Sequence, residues 1–130
     1  MCLENAGKLM KASKDKTVYK LVVRTLFSKE LVTSFQASLI HIGKEYYSDL
    51  ISDNDGYISI GLHSFKKMED ADIMARGWGE IVVKCTIPKG AHYYAGEFLI
   101  IDGNGARKSY ASDRIRYDEI VADYSIVRTC

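Results

Sequence analysis

A chain of 130 residues has room for one compact domain with a modest core. Its apolar share of 47% and charged share of 27% are those of a globular protein, and a net charge of +1 lacks the strong basic excess of a dedicated duplex nucleic-acid binder. No apolar run reaches the length of a membrane span, and no apolar stretch of signal-peptide type follows the N-terminal charges, so a cytoplasmic protein with no membrane partner is expected.

Residues 1–16 lack periodicity and are rich in lysine. They read as a basic arm that is either a solvated leader or an anion contact. Residues 17–130 read as one domain. Thr17–Leu26 is the first predicted strand, with Tyr19, Leu21 and Val23 on one face and Lys20, Val22 and Arg24 on the other. Leu31–Phe35 reads as a turn into a short strand at Ala37–Ile42, where His41 is expected to be structural. Gly43–Tyr47 reads as a turn and an edge strand, and Ser52–Gly56 as a second turn.

Tyr57–Leu62 is a further predicted strand, followed by a helix over Lys67–Arg76 with Met68, Ala71 and Ala75 on its apolar face. Gly77-Trp78-Gly79 stops that helix. Glu80–Ile87 alternates, with Ile81, Val83, Cys85 and Ile87 inward and Lys84 and Thr86 outward. Strands at His92–Asp102 and Lys108–Ser112 flank the turn signal Asp102-Gly103-Asn104-Gly105. A final strand, Ile115–Ile126, slips in its alternation near Glu119-Ile120-Val121, which predicts a bulge. The expected fold is α+β: a curved, mainly antiparallel sheet of six or seven strands with one or two short helices.

Cys2, Cys85 and Cys130 form no spaced pair and no metal-ligand pattern, so neither a metal site nor a disulfide framework is predicted. The nine tyrosines suit strands and half-wet grooves alike.

His63 and Ser64 fall at the expected strand-to-helix junction. There they either bind an anion at the free N–H groups of the helix or serve the backbone locally. Arg114 and Arg116 share a strand face, and Arg24 lies on the first strand. These three either converge on a phosphate or carboxylate or pair with nearby acids such as Asp113 and Asp118. Of Tyr93 and Tyr94 only one can be core. Tyr94 is the candidate to stack on a ligand or a partner chain. Asp118 and Glu119 point to opposite faces, which leaves Glu119 as the single acid able to face a cleft.

Met1-Cys2-Leu3, Gly43-Lys44-Glu45-Tyr46, Gly61-Leu62-His63-Ser64-Phe65 with Glu69-Asp70-Ala71, the run from Val83 to Gly90, and Tyr110-Ala111-Ser112-Asp113 occur in an order that resembles a family of small uncharacterised proteins of phages, prophages and Bacteroides-type gut bacteria. The likeness covers roughly residues 17–122 and implies no catalytic residue. Where that family often has Thr this chain has Lys67, which leaves helix capping to Ser64 or to nothing.

A looser likeness concerns order alone: Arg24 on a first strand, Gly-x-His-Ser before a helix, the Cys85 strand, and Glu119 on a late strand. This is similar to ADP-ribosyltransferase-like domains, which bind NAD between two small sheets. It implies Arg24 or His63 on the dinucleotide, Ser64 beside it and Glu119 as the catalytic acid. Residues 117–119 are Tyr-Asp-Glu, without the Glu-x-Glu or Gln-x-Glu pattern of that reaction.

Three functions follow as expectations. The first is a phage-type binding or inhibitory protein that holds an anionic nucleotide-like ligand or a host protein, needs no cofactor, and is not an enzyme. The second is an ADP-ribosyltransferase-like enzyme using NAD or an ADP-ribose derivative. The third is a homo-oligomeric assembly protein.

Overall fold

The computed structural model describes residues 3–25, 30–33, 38–52, 56–99 and 106–125. Along them run β1 (Met10–Lys11), β2 (Lys16–Arg24), β3 (Leu31–Thr33), β4 (Leu39–Ile40), β5 (Glu45–Tyr47), β6 (Ile51–Ser52), β7 (Ile58–Ile60), β8 (Leu62–Phe65), α1 (Met68–Trp78), β9 (Ile81–Ile87), β10 (His92–Leu99), β11 (Ala106–Ser112) and β12 (Arg114–Asp123). Ten strands form one antiparallel sheet in the order β1-β10-β11-β8-β2-β9-β12-β5. A branch of β3 and β4 leaves β2, and β6 pairs with β7 separately.

The mainly antiparallel architecture is as expected. The strand count is corrected: the main sheet has ten strands rather than six or seven. The described residues hold one helix, within the expected one or two. The additional strands come mostly from residues 31–60, in pieces of two or three residues that are too short to show alternation.

β2 and β9 lie at the centre and are covered on both faces. Val18, Val22, Ile81, Val83, Cys85 and Ile87 pack into one core with Tyr93, Tyr110, Ile115 and Tyr117. Leu21 and Val82 point the other way, against Phe65 and the helix residues Ala71, Met74 and Ala75. Burial on both sides explains why β9 reads as a nearly unbroken apolar run. It also corrects the outward placement of Thr86, which is buried. β12 bulges where the slipped alternation places it, with register shifts between Tyr117 and Glu119 and between Ile120 and Ala122.

The helix begins at Met68 with Lys67 as an uncapped N-cap residue, and it ends at Gly79 in the left-handed conformation. Glu69 and Asp70 sit in its first turn, where the positive helix end favours them. Asp70 also accepts from Arg107 on β11 at 3.2 Å, which ties the start of the helix to the sheet. Met68 is exposed, and its predicted place in the core is taken by Met74.

The N-terminal residues are no solvated leader. Leu3 is fully buried and exchanges two backbone hydrogen bonds with Ile58. Glu4 pairs with Glu97 in the same way, and Ala12 bonds to Gly90 and Ala91. The lysines Lys8, Lys11 and Lys14 face solvent between these anchors. Gly96 makes room for this docking: a Cβ there would meet the Glu4 carbonyl oxygen at 2.5 Å and Leu3 Cγ at 2.9 Å.

His41 is exposed and lies just beyond β4, not within a strand. The turn at residues 102–105 and the centre of the turn at 52–56 fall outside the described residues. Among the described residues no helix is long and apolar enough to cross a membrane.

Candidate functional site

The predicted junction of His63 and Ser64 is a strand. Gly61 breaks the expected run at Tyr57–Leu62 into β7 and β8, and His63 and Ser64 lie inside β8, before the helix cap. Neither is therefore a helix-entry anion position. Adjacent strand residues point to opposite faces, so the pair also separates. The His63 ring is buried, with Nδ1 at 3.1 Å from the Gly61 carbonyl and Nε2 at 3.4 Å from the Ile58 carbonyl. Burial, reinforced by the nearby Lys20 charge, pushes its pKa down to about 4. The neutral ring has one N–H, so it donates to one of these two carbonyls at a time.

The predicted arginines are neutralised by carboxylates or lie far away. Arg24 pairs with Asp123 at 3.2 Å. It sits five residues beyond Tyr19, the β2 residue opposite Phe65, hence roughly 16 Å along the strand from β8. Arg116 donates to Asp118 at 2.7 Å and to the Thr86 hydroxyl at 3.2 Å. Arg114 lines an open depression of about 410 Å³ together with Asp49 and Asp113, which oppose an anionic ligand there. β12 lies three strands from β8, about 14 Å across the sheet. Glu119 is exposed and pairs with Lys84 at 3.6 Å. Tyr94 is half-buried and packs on a small core of Leu3, Ile58 and Ala111. His63, Arg24, Arg114, Arg116, Tyr94 and Glu119 thus form no common site with Ser64.

The structure gathers a different set. Phe65 lies opposite Ser109 and Ser64 opposite Tyr110, and the Lys66 amide donates to the Lys108 carbonyl. Lys66 and Lys108 are therefore cross-strand neighbours on one face. In the next strand, Glu97 lies opposite Lys108 and Ala95 opposite Tyr110. Lys66, Lys108, Glu97, Ala95, Tyr110 and Asn5 line an open groove of about 320 Å³. Asn5 reaches it because the N-terminal segment is docked, and its amide donates to the Glu97 carboxylate at 3.3 Å.

Beside the groove, Tyr93 and Tyr110 meet edge to face at 5.6 Å. Lys16 Nζ lies 5.4 Å from both ring centres. Burial, and then the neighbouring Tyr93, push the Tyr110 phenol pKa up, so its hydroxyl stays protonated at neutral pH.

Behind Tyr110 in the same cross-strand row are Ser64 and Lys20. The Lys20 ammonium is buried and donates to the His63 carbonyl at 2.7 Å, the peptide that leads into Ser64. Burial pushes the Lys20 pKa down to about 8. Ser64 Oγ is fully buried and has no hydrogen-bond partner. Among the described residues, Lys16, Lys20, Lys66 and Lys108 make no ion pair with a carboxylate. Lysines elsewhere, such as Lys8, Lys11, Lys14 and Lys89, are equally without an ion pair among the described residues. What distinguishes these four is that strand pairing brings them to the tyrosine-lined face, whereas Arg24, Arg107 and Arg116 pair with Asp123, Asp70 and Asp118.

No signal within a single segment points to Lys66 and Lys108, because the pairing of β8 with β11 brings them together from 42 residues apart. Ser64 is the one predicted residue that stays in the set. Cys85 points inward as its place in the predicted strand implies, and burial pushes its thiol pKa up to about 12. Among the described residues no three His, Cys, Asp or Glu side chains are placed to hold a metal ion. Comparisons with protein-family models, with curated proteins and with solved structures give no match.

Proposed function

We propose that the protein is a binding protein for a small anionic ligand of nucleotide type, held in the groove between Lys66, Lys108 and Tyr110. The observation that supports this reading is the pair of lysines directly opposite each other at the groove. Like charges in that position destabilise a sheet unless something neutralises them. Neither lysine makes an ion pair with a carboxylate among the described residues, and Glu97, opposite Lys108, offsets only part of the repulsion. A phosphate between the two ammonium groups removes the repulsion, and the edge of the largely buried Tyr110 ring forms part of the groove wall beside a base or sugar. Glu97, held by Asn5, sits at one end of the lysine row. It disfavours an anion there and so orients the ligand toward Lys66.

Glu119 is remote from this groove, so the binding reading requires no group transfer. Calorimetric titration with AMP, ADP-ribose, a cyclic nucleotide and uncharged adenosine tests it. The phosphorylated compounds bind with an affinity that falls as salt rises, and adenosine does not bind. The double substitution Lys66→Glu, Lys108→Glu lowers affinity by on the order of tenfold or more. Binding unaffected by that charge reversal, or no binding by any phosphorylated compound to folded protein, contradicts the proposal.

A further inference from the structure

Lys20 and Ser64 are the two groups on this face that packing leaves unexplained. A buried ammonium normally has a carboxylate or several acceptors, yet Lys20 has one carbonyl. A buried hydroxyl normally has a partner, yet Ser64 Oγ has none. Tyr19 lies opposite Phe65, so Lys20 is the cross-strand neighbour of Ser64, and Ser64 in turn lies opposite Tyr110. The groups facing Lys20 include no carboxylate: Lys16 stands on its own strand, Ser64 and the His63 carbonyl on β8, Cys85 on β9 and Tyr110 one strand further. The titratable side chains coupled to its charge are Cys85 and His63, and neither is an anion at neutral pH.

Resting on the groove reading, we infer that Lys20 and Ser64 form a second, inner oxyanion subsite, so that the ligand carries two separated anionic groups, as a nucleoside or sugar bisphosphate does. One phosphate sits between Lys66 and Lys108. The other meets the Lys20 ammonium and accepts from Ser64 Oγ. Ser64 and Lys66 are two residues apart on one strand face, so the anionic groups are spaced about 7 Å apart. Access requires the Tyr110 ring, which lines the groove and lies opposite Ser64, to turn aside.

The test compares AMP with adenosine 3′,5′-bisphosphate by calorimetry at pH 8.5, in two buffers of different ionisation enthalpy. For the wild-type protein the bisphosphate binds on the order of tenfold more tightly than AMP, the scale of a charge-assisted pair. Its binding takes up a fraction of a proton, because an anion beside Lys20 returns that amine to its charged form. Lys20→Met abolishes both the tenfold preference and the proton uptake, while AMP still binds and loses less affinity than the bisphosphate does. Ser64→Ala reduces the preference without removing the proton uptake.

A bisphosphate preference or proton uptake that survives Lys20→Met overturns the subsite. So does equal binding of the two compounds by the wild type. In both cases intact AMP binding leaves the groove reading standing. Failure of both compounds to bind contradicts the groove and the subsite together. Lys20→Met replaces a buried charge with an apolar chain of similar length, so the variant folds.

Discussion

His63 and Lys20 are both bases that folding holds toward their neutral forms, so both link stability to pH with the same sign. The folded His63 pKa of about 4 lies below the ordinary histidine value of 6.5. Between those values the unfolded chain binds more protons, and stability falls as pH drops from about 6.5 to about 4, by about 3 kcal/mol in all. Urea unfolding at a series of pH values shows this slope in the wild type, and His63→Gln flattens it. A slope unchanged in that variant contradicts the neutral buried ring.

For Lys20 the window lies higher, between about 8 and 10.5. Below it the buried charge carries its full penalty. Lys20→Met is therefore more stable than the wild type at pH 7, by about 3 kcal/mol, and the difference shrinks as pH rises through the window. A destabilised Lys20→Met at pH 7 shows instead that the bond to the His63 carbonyl outweighs the desolvation. At this scale the sequence was a partial guide. It singled out Ser64, and it read Lys20 only as a strand position, because burial of a lysine depends on what covers the strand.

At the scale of elements, alternation was legible wherever a strand was long. The faces of β2, the inward set of β9 and the bulge of β12 all follow from spacing. What spacing did not reveal was the break at Gly61. A Cβ at that position would meet Leu50 Cδ2 at 2.8 Å, the movable end of a side chain, and Ala111 Cβ at 3.4 Å, a crowding set by tertiary packing rather than by local spacing. Missing that break moved His63 and Ser64 from a strand to a helix entrance.

The docking of the N-terminal segment depends on Gly96 in the same way. Gly96→Ala places a methyl group against the Glu4 carbonyl and releases residues 3–7 from the sheet. The amides of Glu4 and Glu97 then exchange with solvent rapidly, and loss of Leu3 burial costs about 2 kcal/mol. Unaltered protection of both amides contradicts the close approach. Helix packing is tested by Phe65→Ala. Phe65 is 1% exposed, meets Phe98 edge to face at 5.8 Å, and supports Ala71 and Met74. Its truncation costs about 3–5 kcal/mol by chemical denaturation. A loss below 1 kcal/mol is inconsistent with that core.

For the whole molecule, the composition and the apolar pattern made the mainly antiparallel sheet legible but not its strand order. The arginines stand out in the sequence as anion ligands, yet folding places each of the predicted ones beside a carboxylate or beyond reach of β8. The lysines look like solvated surface in the sequence. Strand order then brings Lys16, Lys66 and Lys108 around two tyrosines from three separate segments. A convergence of this kind depends on which strands are neighbours, and local pattern carries little of that information.

The account turns on which of two surface depressions takes an anion: the groove at Lys66, Lys108 and Tyr110, or the larger one at Arg114 with Asp49 and Asp113. Backbone amide chemical shifts followed by NMR during a titration with AMP distinguish them. The predicted result is a saturable set of shifts centred on Lys66, Lys108 and Tyr110, with Arg114 and Asp113 unmoved. Shifts centred on Arg114 and Asp113, or no shift at the lysine pair, contradict the assignment.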